Sequence, residues 1–245
     1  MHISTKIAGG LAAAAWLTAA TPAAHAQTPG NVYWADWLSA TAVGNTGTVA
    51  GALDVGGTAV DVTYGGELQF AVTAPGATNY FQPRATFLGT LLQDAQPITS
   101  DLVAISGGTG IRNTFTFSRP ITNPVMSIVS LGRGSTPVEY AFDAPFEIVS
   151  GGPTSIFGGV ALTRASSTTV RGQEGNGTIR FLGTFSSLSF TTNGGEYWNG
   201  FTLGVQGLAS GDGPGTVVPE PATVALVGLG LAGVAAAGRA RRRVG

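Results

Sequence analysis

The sequence predicts an all-β protein, an antiparallel β-sandwich of jelly-roll type, with an addressing segment at each end. Three observations carry this expectation. Between residues 40 and 207 no stretch shows the spacing of an amphipathic helix. Short runs instead alternate apolar and polar side chains, the period-2 pattern of a half-buried strand. Gly, Thr, Ser and Asn punctuate those runs closely, as tight turns require. About ten short strands are expected, with a β-barrel as the lesser alternative. No repeat of fixed period is present, which argues against a propeller or a β-helix.

The chain opens with a charged start from Met1 to Lys6, an apolar Ala-rich run from Ile7 to Ala20, and Ala24-His25-Ala26 before Gln27. That order is the signature of a signal peptide, so residues 1–26 are expected to be removed by signal peptidase on export. In the body, residues 27–208, Val60, Val62 and Tyr64 alternate with Asp61 and Thr63, and Gly65-Gly66 is expected to turn the chain into a second strand from Glu67 to Val72. Ile111 to Ser118 places Ile111, Phe115 and Phe117 on one face and Arg112, Thr114 and Thr116 on the other. Val125 to Leu131 and Val138 to Phe142 are β-rich runs, each preceded by Pro. Asn176-Gly177 reads as a hairpin turn between Thr168–Arg171 and Thr178–Leu182. Leu188 and Phe190, then Phe201, Leu203 and Val205, complete the alternating set. Residues 209–217 form a Gly- and Pro-rich flexible spacer.

Composition excludes several chemistries. The single Lys (Lys6) and both His (His2, His25) lie in the leader, and the chain has no Cys. Between residues 27 and 218 seven Arg face twelve carboxylates, a net charge of −5 with no basic stripe, so nucleic acid is not an expected partner. A body without His, Lys or Cys cannot assemble the Ser-His-Asp, Ser-Lys or Cys-His nucleophilic sites, nor a His- or Cys-based zinc site. Paired carboxylates for glycoside hydrolysis and oxygen ligands for calcium survive this test, but the acids are scattered singly and no D-x-D-x-D-G loop occurs. The expectation is a protein that is not an enzyme and holds no cofactor.

Tyr33, Trp34 and Trp37 follow the leader, and Tyr197 and Trp198 lie near the last strands. Exposed at a sandwich edge, Trp34, Trp37, Tyr197 and Trp198 would stack on sugar rings; buried, they would fill the ends of the core. Asn176-Gly177-Thr178 fits the glycosylation pattern, which a turn explains equally well. Ice binding would need a flat Thr array, and no regular Thr ladder is visible in the sequence.

The C-terminal stretch, residues 218–245, is the most readable. Pro219 and Pro221 hold Glu220 extended, a backbone form that a protease or transpeptidase can grip. The apolar run 222–238 is 17 residues, about 25 Å as a helix, and is expected to span a membrane once. Arg239, Arg241, Arg242 and Arg243 then act as a stop-transfer cluster, leaving the body outside the cytoplasm. Gly228 to Gly233 matches G-x-G-x-x-G, but no βαβ unit and no downstream acid accompany it, so it is not a dinucleotide site. The order of leader, Val218-Pro219-Glu220-Pro221, apolar helix and Arg-rich end resembles the PEP-CTERM sorting family, whose tail segment also goes by the name ice-binding-protein C-terminal motif. The resemblance covers the tail and leader alone. It implies recognition of Pro219, Glu220 and Pro221 by exosortase at the inner membrane of a Gram-negative bacterium that makes exopolysaccharide. In that setting they are substrate residues, not catalytic ones. It further implies transient membrane anchoring and delivery to the cell surface or extracellular matrix. About the body it implies nothing.

Overall fold

A computed structural model of the chain describes residues 30–93 and 101–209. The expected signal peptide, the spacer after Ala209 and the expected span 222–238 lie outside those residues, among which no helix is long and apolar enough to cross a membrane. The chain starts with β1 (Tyr33–Trp34) and β2 (Asp36–Val43), and β3 (Thr46–Val55) and β4 (Thr58–Glu67) form a long hairpin. Next come β5 (Phe70–Val72), the one-turn helix α1 (Arg84–Phe87), β6 (Leu102–Gly107) and β7 (Asn113–Thr122). β8 (Val125–Leu131), β9 (Val138–Phe142) and β10 (Phe146–Gly151) follow, then the two-residue strands β11 (Val160–Ala161) and β12 (Thr163–Arg164). β13 (Thr169–Gly172), β14 (Gly175–Phe181), β15 (Thr184–Asn193), β16 (Gly195–Val205) and β17 (Gly207–Leu208) complete the body.

These strands make two sheets. An eight-stranded sheet has the order β10-β14-β8-β16-β6-β5, with β1 beside β16 and β11 beside β14; a nine-stranded sheet runs β12-β13-β9-β15-β7-β4-β3-β2, with β17 beside β7. Pairing is antiparallel apart from the short β11·β14 contact. The architecture is therefore an all-β, sandwich-like pair of antiparallel sheets, with seventeen strands described where about ten were expected. β8 and β9 occupy the residues that their apolar runs and flanking Pro and Gly mark out.

Two expected turns are corrected. Gly65 and Gly66 lie inside β4, and the hairpin turn is Gly56-Gly57, at φ 60° and 86°. A type I′ turn needs positive φ at both central positions, and Asp54 Oδ1 fixes this one by accepting from Gly57 N–H at 2.7 Å. Gly66 serves close approach instead: a Cβ there would sit 2.4 Å from Asn113 Oδ1. Likewise Asn176-Gly177 lies within β14, and the chain bends at Gln173-Glu174 while crossing from the nine-stranded to the eight-stranded sheet. Asn176 is fully buried, its Oδ1 accepting from Ser130 N–H (2.7 Å) and its Nδ2 donating to Gly158 and Glu174 carbonyls. It has no surface on which to carry a glycan.

The core lies between the sheets. Phe201, from β16, meets Tyr64, Phe115, Phe190 and Tyr140 of the opposing sheet at ring-centroid distances of 5.4, 5.7, 5.8 and 6.3 Å. Burying each such ring contributes roughly 1.5–3 kcal/mol, so this one cluster ties the layers together. The outer face of the eight-stranded sheet is covered as well. Phe81 and Phe87, around α1, pack on Leu102, Ala104 and Val129, and Thr178 Oγ1 donates to the Phe87 carbonyl at 2.8 Å. This cover explains why every residue of β8 and β14 is buried. The nine-stranded sheet, by contrast, turns to solvent a face of Thr48, Ala50, Thr63 and Thr116.

Candidate functional site

The four aromatic candidates are placed in four different environments. Trp37 is fully buried in the main core, so its indole offers no face to a ligand. Trp34, half-buried, packs beside Val32, Leu92 and Val125 over the outer side of β16, where a Cβ on Gly204 would come 2.9 Å from its ring. Tyr197 is 79 % exposed, with the Arg133 guanidinium 5.5 Å from its ring centroid. Trp198 is half-buried and sits among three rings: Phe70 at 5.6 Å, Tyr80 at 5.6 Å and Phe157 at 5.3 Å, all edge-on to it. Tyr80 and Phe157 are themselves stacked, 8° from parallel. All four rings are partly open at the rim of the segment that covers the eight-stranded sheet.

Sequence reading found Trp198 and missed its neighbours, because Phe70, Tyr80 and Phe157 come from three separate segments and share no spacing. Such a group can lay an apolar ring face against the C–H face of a sugar. The other aromatic pairs, Tyr33 with Trp34 and Trp34 with Trp37, are not brought together into one surface.

A polar network occupies the end of the sandwich where β16 begins. Burial pushes the Glu196 carboxyl up to about 7, although Gly132 N–H at 2.5 Å and Asn199 Nδ2 at 2.8 Å both donate to its Oε1 and oppose the shift. Asn199 Oδ1 accepts in turn from the Tyr140 hydroxyl. Burial holds Tyr140 well above the usual phenol range, so it stays a donor. Glu174, at φ 58°, accepts from Ser130 Oγ at 2.9 Å, and its charge adds to the upward pressure on Glu196.

Glu67 is a second buried carboxylate that the sequence left as one scattered acid. Its Oε1 accepts from Ser106 and Gly107 N–H at 3.1 and 2.9 Å, and its Oε2 accepts from Thr109 Oγ1 at 3.1 Å. It borders a pocket of about 170 Å³ lined by Gly44, Asn45, Leu68, Gln69 and Ser106, a lining that contains no second carboxylate. With both oxygens engaged, Glu67 holds the β6–β7 connection in place. Among the described residues no group of three or more His, Cys, Asp or Glu gathers in a way that could hold a metal ion.

The described residues thus form a sandwich-like all-β body that presents one half-open group of four aromatic rings at its rim. Residues 217–243 match the family model of the PEP-CTERM protein-sorting motif. The match contains Pro219, Glu220, Pro221 and the Arg cluster 239–243, all outside the described residues, and the family of the body is unknown. Such a motif implies an exported protein bound for the cell surface, with exosortase as its processing partner. No curated protein and no solved structure matches the chain.

Proposed function

We propose that the protein is a non-enzymatic component of the cell surface or extracellular matrix, sorted by its C-terminal motif and associated there with exopolysaccharide. The observation that carries this reading is the sorting motif at residues 217–243, attached to a body that lacks His, Lys and Cys. In this reading the leader is removed by signal peptidase, and the segment 222–238 anchors the chain transiently in the inner membrane of a Gram-negative cell. Exosortase then reads Pro219-Glu220-Pro221. Replacing those three residues with Ala in the native host is expected to leave the protein unprocessed and retained at the membrane. Unchanged processing and surface delivery would reject the sorting reading.

A second reading, compatible with the first, makes the body a carbohydrate-binding module. It is favoured by the half-open group of Trp198, Phe70, Tyr80 and Phe157. Its test is retention of the protein on the exopolysaccharide of the native host, compared with neutral and charged reference glycans. A body retained on none of them has a purely structural part to play in the matrix. Glycoside hydrolysis would need two carboxylates facing across a cleft about 5–10 Å apart; the pocket that Glu67 borders has no second carboxylate in its lining, and Glu196 is tied to Gly132 and Asn199 through Oε1.

A further inference from the structure

The strands at the ends of the two sheets differ in one respect that matters for assembly. At the far edge of the nine-stranded sheet, β12 is two residues long and carries Arg164. In the eight-stranded sheet β5 is three residues long, and β10 carries Glu147. β2 is eight residues long, pairs on one side with β3, and has no strand on its other side among the described residues. From Trp37 to Val43 it contains no charged residue and no Pro, two of the devices that guard a free edge, and its one bulge lies at Leu38, ahead of residues 39–43. It also exposes Leu38 and Val43, at 61 % and 75 %.

The register shows which peptide groups are free. Val43 and Thr46 flank the two-residue loop Gly44-Asn45, and Thr41 lies opposite Thr48, Ser39 opposite Ala50. Closure of a two-residue loop makes its flanking pair a hydrogen-bonded one, and bonded pairs recur at every second residue. Val43, Thr41 and Ser39 therefore bond to β3, and the peptide groups of Ala40 and Ala42 point outward. Before the bulge at Leu38, the outward N–H of Trp37 is already taken, donating to Asp101 Oδ1 at 3.1 Å. What remains, among the described residues, is a short, neutral, unpaired stretch of edge, residues 39–43.

We propose that this edge pairs with the same edge of a second copy of the chain, joining two nine-stranded sheets across a two-fold axis at Thr41. A symmetric antiparallel pairing that uses the outward groups has a single in-register solution: Ala40 opposite Ala42 of the partner subunit, and Thr41 opposite Thr41 of the partner subunit. The Ala and Thr side chains are small enough for close approach, and no charge on the stretch opposes its own copy. Leu38 and Val43 flank the junction and lose exposure in it.

The absence of Cys makes the register directly testable. In the full-length chain in detergent micelles, Thr41→Cys under mild oxidation is expected to give on the order of ten times more disulfide-linked dimer than Thr63→Cys, an exposed site two strands further in. Opposed Cα atoms in a non-hydrogen-bonded antiparallel pair lie ~4.5 Å apart, within the range a disulfide can bridge. Thr41→Lys, which sets two ammonium groups against each other, is expected to halve the protein mass measured by sedimentation. Equal crosslinking at both positions overturns the proposal, as does a parent chain that sediments as a monomer. So does a dimer that survives Thr41→Lys, since that would be held elsewhere, for example through the apolar tail.

Discussion

The Tyr140 hydroxyl, on β9 of the nine-stranded sheet, donates to Asn199 Oδ1, on β16 of the eight-stranded sheet, and both residues are fully buried. This bond crosses the interior between the two layers, beside the ring contacts that Phe201 makes with Tyr140 and Phe190. A hydrogen bond between buried partners adds little net stability by itself, but it fixes the register of one sheet over the other, because a shift leaves both groups unsatisfied. Tyr140→Phe keeps the ring packing against Phe190, at 4.6 Å, and removes the donor. It is expected to lower stability by about 1–3 kcal/mol in urea unfolding, from the orphaned Asn199 oxygen. A loss under about 0.5 kcal/mol would mean that Asn199 finds another donor.

The same network sets a pH dependence. Burial raises Glu196 to about 7 and Asp101 to about 6. A carboxyl group whose folded pKa exceeds its unfolded value binds its proton more tightly in the folded state, so stability grows as pH falls. The gain begins as pH drops through about 7, is joined by Asp101 near 6, and is complete in the ordinary carboxyl range around ~4. Urea midpoints measured from pH 8 down to pH 5 are expected to rise. Glu196→Gln keeps an acceptor for Gly132 and Asn199 and is expected to flatten the upper part of that slope. Its stabilisation at pH 8 is on the order of 1 kcal/mol, kept small because water reaches the half-buried carboxyl. A midpoint that falls with acidification over this range contradicts the assignment.

Adjacent glycines in β4 should respond in opposite ways. A Cβ on Gly65 meets nothing within 4 Å, and Gly65→Ala is expected to be neutral or to stabilise by about 0.5 kcal/mol. At Gly66 the added carbon would strike Asn113, whose Oδ1 accepts from the Tyr64 hydroxyl at 2.7 Å and from Glu67 N–H at 2.8 Å. Gly66→Ala is expected to cost more than about 2 kcal/mol. Thermal unfolding of the two variants side by side distinguishes this arrangement from a turn, where both substitutions would be costly.

For the carbohydrate reading, Trp198→Ala is expected to weaken retention on the host exopolysaccharide about tenfold, or ~1.4 kcal/mol. Far-UV circular dichroism should stay unchanged, since Trp198 lies at the rim of its cluster and not in the main core. A Trp198→Ala protein that is folded and retained as well as the parent removes the aromatic group from the account. Trp37→Ala serves as the contrast: at a fully buried position it is expected to cost about 3–5 kcal/mol of stability.

How much of this was legible from residues alone depended on whether the signal was local. β8 and β9 could be placed because each apolar run has a Pro directly before it and Gly132 and Gly134 lie between them. The inward residues Phe115, Phe117, Leu188 and Phe190 followed from alternation. Gly65-Gly66 and Asn176-Gly177 were misread because Gly serves both sharp turning and close approach, and which of the two applies depends on distant partners such as Asn113 and Ser150. The grouping of Trp198 with Tyr80 and Phe157 is a matter of topology, and no spacing announces it. The C-terminal motif was readable as a family because its residues are contiguous, and the family match covers residues 217–243.

The last two strands lie in different sheets. β16 is held between β6 and β8, whereas β17 is two residues long and borders β7. Traction applied to the chain beyond Ala209 would first peel Gly207 and Leu208 from β7, a few bonds opened one after another. It would then pull along the axis of β16, loading the pairings on both its flanks at once in shear. The body thus ends in a two-residue strand on one sheet preceded by an eleven-residue strand held on both sides in the other, so its last pairing is far easier to open than the one before it.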